Sequence, residues 1–114
     1  MTKAELKEWP SLCEEWDELD RRIKSLEGKT VGRAVQRVER SLQRLKAEKQ
    51  RLNEAIERIE AAVDGLPSVE RRLIIMRYNE GLSWRKIAVE LGFSEDHVSG
   101  FLHKKALRHL ATID

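Results

Sequence analysis

Between Val35 and Leu66 the apolar side chains fall at Val35, Val38, Leu42, Leu45, Leu52, Ile56, Ile59, Val63 and Leu66, in alternating steps of three and four, with Lys49 filling the one gap. That spacing places every member on one stripe of a helix and is the a/d seam of a coiled coil. An earlier segment repeats it with Leu12, Trp16, Leu19, Ile23 and Leu26. Between the two lies Gly28-Lys29-Thr30-Val31-Gly32, a turn with glycine at both ends. Two helices joined so briefly fold back as an antiparallel hairpin.

The start of the first helix is open on the sequence. Thr2-Lys3-Ala4-Glu5 reads as a capping box, whereas Pro10 suits the first turn of a helix better than its interior. With a start at Pro10, residues 10–27 span ~27 Å and residues 33–64 ~48 Å at 1.5 Å per residue. The shorter helix then leaves Leu52, Ile56, Ile59 and Val63 needing another partner: the C-terminal residues, the residues before Pro10 or a second chain. A homodimer through the hairpin is the expectation. Lys49 reads first as a side chain whose stem follows the seam while its charge reaches water, and second as a device that fixes register or oligomeric state.

Composition agrees with long helices. Of 114 residues, 40% are hydrophobic, 5% aromatic and 37% charged, too apolar for a disordered chain and too charged for one thick globule. The length suits one domain, or a small domain with an appendage. No run approaches the ~20 apolar residues of a membrane span. The first residues are polar and charged, unlike a signal peptide. Cys13 is the one cysteine, which leaves no internal disulfide and no cysteine cluster for zinc, and a cytoplasmic protein is expected. The net charge of +2 is uneven: five basic and eight acidic residues in 1–28, nine and five in 29–63, eight and seven in 64–114. From His97 to Ile113 there are Lys104, Lys105 and Arg108 and no acid, a modest signal for a nucleic-acid partner.

Leu66-Pro67-Ser68 ends the long helix, because Pro67 cannot continue the hydrogen-bond ladder and Ser68 is a good N-cap. A helix with Val69, Leu73, Ile74, Met76 and Tyr78 follows, closed by Gly81. Ser83 caps a second, with Trp84, Ile87, Ala88 and Leu91 apolar, and Gly92 breaks it. Ser94 caps a third, whose first turn carries Glu95 and Asp96 at the positive end of the helix dipole. In this pattern Ala88 must be small where the third helix crosses it, and Gly92 takes a positive φ in a tight turn. Ile87, Leu91, Phe93, Val98 and Phe101 fill the wedge between the helices. This is the helix-turn-helix arrangement, whose second helix enters the major groove of duplex DNA. The expected fold is therefore all-α: an N-terminal helical hairpin over residues 1–65 and a trihelical helix-turn-helix domain over residues 66–114.

Leu66-Pro67, Glu70-Arg71, Met76-Arg77-Tyr78, Gly81-Leu82-Ser83, Ile87-Ala88, Leu91-Gly92, Ser94, Val98 and Ala106-Leu107 together resemble region four of bacterial sigma factors. The segment is more similar still to phage-encoded, sigma-like regulators of the ArpU and RinA kind, through Tyr78, Gly81, Ser83, Trp84, Ile87 and Ala88, then His97-Val98 and Leu102-His103-Lys104-Lys105-Ala106-Leu107. The resemblance covers residues 66–110 and implies binding of a promoter element, contact with RNA polymerase and control of phage late or packaging genes. No sigma-like core-binding or promoter-melting region precedes residue 66, so the chain resembles an activator or sigma-like fragment more than a complete sigma factor. The interval from Val98 to Leu102 is one residue longer than in the phage regulators. On an ideal helix Leu107 then lies opposite Val98, so either the helix bends or Leu107 packs outside the trihelical core.

Helical phase selects the side chains that meet DNA. With Val98 and Phe101 inward, Asp96, Ser99, Gly100 and His103 point outward, flanked by His97 and Lys104. Ser99 and His103 can reach bases or phosphates. Gly100 is either a helix weakness costing ~1 kcal/mol or a point of close backbone approach to DNA. Asp96 either accepts from a cytosine or only favours the helix start. Ser83, Trp84 and Arg85 stand at the second helix's N-terminus, a seat for phosphate, although Trp84 is equally suited to the core. Lys104, Lys105 and Arg108 track the phosphate backbone or are plain solvated charge.

Catalysis finds no support: there is no glycine-rich phosphate loop, no His-Glu-x-x-His and no cysteine pair. His97, His103 and His109 recur every six residues and share no helical face, so neither a metal nor another cofactor is expected. The leading class is a transcription regulator that binds double-stranded DNA. A phage small terminase subunit, which also joins such a unit to an oligomerising hairpin, and a polymerase-binding adaptor without DNA contact share the same features.

Overall fold

The computed structural model describes residues 1–28 and 35–112. It is all-α, with no strand among the described residues. Helix α1 (Lys3–Glu27) and helix α2 (Val35–Asp64) are long; α3 (Ser68–Ile74), α4 (Trp84–Leu91) and α5 (His103–Ala111) are short. α3 runs into a π-helical turn, Ile75–Asn79, and a second π-helical turn, His97–Leu102, leads into α5. Packing divides the chain into two compact units, Ser11–Glu57 and Met1–Pro10 with Arg58–Asp114. The division thus falls within the two long helices, at Pro10 and Arg58, whereas the sequence suggests residue 65.

In the unit Ser11–Glu57, the facing stretches of α1 and α2 bury Leu19, Ile23, Leu42 and Leu45, with Leu26, Val38 and Leu52 half-buried against them. The pairing is antiparallel, as expected from the seam. Lys49 Nζ donates to Asp20 Oδ1 at 2.7 Å and lies 4.5 Å from the centre of the Trp16 ring; Lys46 reaches Glu27 at 3.1 Å. The lysine that interrupts the seam is therefore neither idle nor fully solvated: it bridges the two helices. Lys24 and Lys49 both hydrogen-bond the Asp20 carboxylate and hold it below the usual carboxylate range. The glycine-flanked turn after Gly28 and the place of the Val35 side chain in the seam lie outside the described residues.

In the other unit the chain departs from expectation at its start. α1 begins at Lys3, not at Pro10, which sits inside the helix. Thr2 is the cap, its Oγ1 accepting the Glu5 N–H at 3.3 Å. A proline at an interior position removes one ladder bond and costs about 3 kcal/mol. Burial on the preceding turn offsets that cost, since Leu6 and Trp9 are both buried. The extra length also covers the stripe left open by the sequence arithmetic. Ile59, Ala62, Val63 and Leu66 are buried alongside Leu6 and Trp9, and Arg58 pairs with Glu5 at 2.8 Å. Ile56 is buried as well. The stripe needs no second chain to cover it, and the reason for expecting a homodimer through the hairpin is removed.

The trihelical part is built on caps that the sequence announces, with one exception. Ser83 Oγ accepts the Lys86 N–H, and Ser94 Oγ the His97 N–H, each at 3.2 Å. The cap of α3 falls on Pro67, whose carbonyl accepts the Arg71 N–H at 2.9 Å, so Ser68 is already inside the helix. Gly92 has φ 78° and its N–H closes α4 on Ala88 O. Gly81 also has a positive φ, 71°, between the first π turn and α4. Leu73, Ile74, Ile87, Ala88, Val98, Leu102, Ala106 and Leu110 form the core.

Candidate nucleic-acid interface

The second π turn decides which residues this unit presents. The His103 N–H bonds to Val98 O, five residues back, where an α-helix would reach four. One residue is thereby accommodated without a break, and the stripe behind it is rotated. Val98, Leu102, Ala106 and Leu110 point inward at steps of four, and Leu107 is half-buried. The long interval after Val98 is thus a bulge of the kind expected when one residue is inserted into a helix.

Two orientations read from ideal phase are reversed. Phe101, expected inward, is 54% exposed; His103, expected outward, is 8% exposed. Phe93, expected in the wedge, is 43% exposed. The inward period exceeds 3.6 residues across the π-helical turn His97–Leu102.

His103 lies in a buried polar knot. Its Nε2 is 2.6 Å from the Tyr78 hydroxyl, with which it shares a hydrogen bond, and the Trp84 ring lies 4.6 Å away. Burial, and then the charges of Lys3 and Arg77, push its pKa below the ordinary histidine value. Burial in turn pushes the Tyr78 hydroxyl up. Arg77 stacks over Trp84 at 4.3 Å and donates to Leu82 O at 3.1 Å. This knot joins the first π turn, the start of α4 and the start of α5. Trp84 is half-buried within it, which favours the packing role for that side chain over a phosphate contact.

The remaining candidates lie on the surface. Ser83 and Arg85 are exposed at the N-terminus of α4, with the Ser83 hydroxyl engaged in its cap. Asp96 is exposed; Ser99 and Gly100 are half-buried. A Cβ at Gly100 would meet nothing within 4 Å. His97 is half-buried between two phenylalanines, 5.1 Å from the Phe93 ring and 5.2 Å from the Phe101 ring. Lys104 and Arg108 are exposed and Lys105 half-buried. Phe101, Lys104, Lys105 and Arg108 stand three, four and seven residues apart, so they share the outer face of α5. Its inner face is the apolar stripe that ends in Leu110.

His109 completes the histidine series in a third environment, with Nδ1 2.6 Å from the buried Glu70 carboxylate. The three imidazoles thus serve a surface stack, a buried knot and a hydrogen bond to a buried carboxylate. No group of three His, Cys, Asp or Glu side chains among the described residues could hold a metal ion. No described helix is long and apolar enough to cross a membrane. The sequence reading missed Arg77 and Tyr78 as partners of His103, and the exposed Phe93 and Phe101. The one signal for them was the long interval after Val98.

Residues 56–110 match the family described as Sigma-70, region 4. No curated protein and no solved structure matches the chain. The match begins ten residues before Leu66, two residues ahead of Arg58, where the stretch of α2 that packs in the same compact unit as α3 to α5 starts. Together with the caps at Ser83 and Ser94 and the left-handed Gly92, it shows residues 56–110 to be similar to the helix-turn-helix of sigma region 4.

Proposed function

We propose that this protein is a sequence-specific transcription regulator, encoded by a phage or prophage and working in the cytoplasm, which binds duplex DNA at promoters and contacts RNA polymerase. The observation that carries this reading is the outer face of α5, where Lys104, Lys105 and Arg108 stand together with no acid from His97 to Ala111. In this reading the helix that begins after Ser94 enters the major groove, with Asp96, Ser99 and Gly100 near the bases and Lys104, Lys105 and Arg108 along the phosphate backbone. Ser83 and Arg85 seat a phosphate at the start of α4, where helix N–H groups and dipole favour an anion. His97 positions its neighbours, and His103 acts from inside the fold. Residues 66–114 bind DNA, and residues 1–65 serve a protein partner. The function is binding and not catalysis.

A salt titration tests it. Arg85, Lys104, Lys105 and Arg108 would displace counterions from phosphate, and ~4 such contacts give a log–log slope of about −3 to −4. Replacing all four by alanine should flatten the slope and abolish measurable binding while the protein stays folded. A wild-type slope near zero, or unchanged affinity in the fourfold variant, would refute the reading. A genome-wide footprint of the tagged protein that shows occupancy at promoters would support the regulatory role, and occupancy confined to one packaging site would exclude it.

A further inference from the structure

Phe101 is the largest apolar side chain on an otherwise cationic helix face, and nothing in the core requires it there. At 54% exposed, it gives up much of the stabilisation that burial of such a side chain contributes. It is also held. His97 stacks on its ring at 5.2 Å with the planes 22° apart, Phe93 backs His97 at 5.1 Å, and Lys105 Nζ stands 5.8 Å from the ring centre. The π turn aims it outward: Leu102 takes the inward place and Phe101 joins Lys104 and Arg108.

The surroundings say which partner fits. An exposed ring beside Lys104, Lys105 and Arg108, with no acid from His97 to Ala111, complements a polyanion that carries apolar groups at regular depth. The major groove offers one such group at each thymine, its 5-methyl, and an aromatic or aliphatic side chain makes the apolar contact that reads it. We propose that Phe101 is a specificity contact that packs on the 5-methyl group of a thymine, with Lys104, Lys105 and Arg108 holding the adjacent phosphates. The proposal rests on the DNA-binding reading and deepens it. The His97 stack restricts the ring before binding, so less side-chain freedom is lost on contact.

Selection from a random-sequence duplex library, with the full-length wild type and with Phe101→Ala, tests this. The wild-type winners are then resynthesised with deoxyuridine replacing one thymine at a time, which deletes only the methyl group. At one thymine the replacement should weaken wild-type binding about fourfold, the equivalent of one buried methyl group. Phe101→Ala should bind more weakly, lose the preference at that base pair and be indifferent to the replacement there, with its salt slope unchanged. Its melting temperature should stay near wild type because the side chain is on the surface. Phe101→Leu, which keeps an apolar tip, should retain part of the discrimination. The proposal is overturned if Phe101→Ala selects the same sequence with the same sensitivity to deoxyuridine, or if wild-type winners show no thymine whose methyl matters. Wild type that binds no duplex at all would instead remove the DNA-binding reading, and this contact with it.

Discussion

Gly100→Ala separates what the fold needs from what the DNA face needs. Gly100 lies in the second π turn with a negative φ, unlike Gly81 and Gly92, so no left-handed backbone requires glycine. An added Cβ would meet no atom within 4 Å, so no packing requires it either. Glycine in a helix costs about 0.5–1 kcal/mol relative to alanine. The substitution should therefore stabilise the free protein by about that amount, which for a chain of this size raises the melting temperature by roughly 2–4 °C. On DNA the sign reverses if the backbone here approaches the groove closely. A methyl group forced into a packed interface costs about 1–3 kcal/mol, a loss of roughly fivefold to a hundredfold in affinity. Thermal denaturation followed at 222 nm and fluorescence anisotropy with a labelled duplex read the two effects separately. A lower melting temperature would show that the turn does need glycine. A higher one with unchanged affinity would refute close approach and leave Gly100 as a plain helix weakness.

Three further outcomes are expected. Ala88→Leu should destabilise the protein by about 1–3 kcal/mol and displace the third helix, because Ala88 is buried where the helices cross; unchanged melting temperature and DNA binding would place it elsewhere. His103 is held neutral in the folded state, its pKa below the ordinary value because of burial and then Lys3 and Arg77. The unfolded chain therefore binds the proton more readily, so stability should be highest above the ordinary histidine range and fall as the pH drops from about 6.5 toward the folded pKa, by up to about 1.4 kcal/mol per pH unit. Melting curves of wild type and His103→Gln between pH 7.5 and 5.5 check this, and equal pH dependence of the two would refute it. Sedimentation of wild type tests whether the buried stripe has made self-association unnecessary. A monomer at high concentration is expected, and a dimer that Ile56→Asp/Ile59→Asp converts to a folded monomer would contradict it.

Elements set by local chemistry were legible in the sequence. The seam from Leu42 to Leu66 follows from its three-four spacing, and the breaks at Ser83, Gly92 and Ser94 follow from capping and a positive φ. Two features were not. Pro10 was read by its local cost, whereas the burial of Leu6 and Trp9 against residues some fifty positions away keeps the helix intact. The orientation of Phe101 and His103 was read from an ideal period, whereas the π turn adds a residue between Val98 and Leu102. The extra residue was visible in the sequence, but its consequence was not. An insertion can end as a bend, a loop or a bulge, and local spacing does not say which; the buried His103 that follows the bulge is bonded to Tyr78, twenty-five residues away.

The bulge has a consequence for how such a protein could change its target. A one-residue deletion between Val98 and Leu102 would restore an ordinary helical period and turn the outer surface of α5 by about 100°, one residue of α-helical rotation, relative to the start of the helix. The apolar stripe from Leu102 to Leu110 would have to turn back to stay packed, so it is the short segment between Val98 and Leu102 that would absorb the difference. Length variation at this place alters the side chains offered to a base pair while the same interior is kept. On the proposed DNA-binding reading, the loss of one codon there is thus a route to a new target sequence that no series of single substitutions on α5 reproduces.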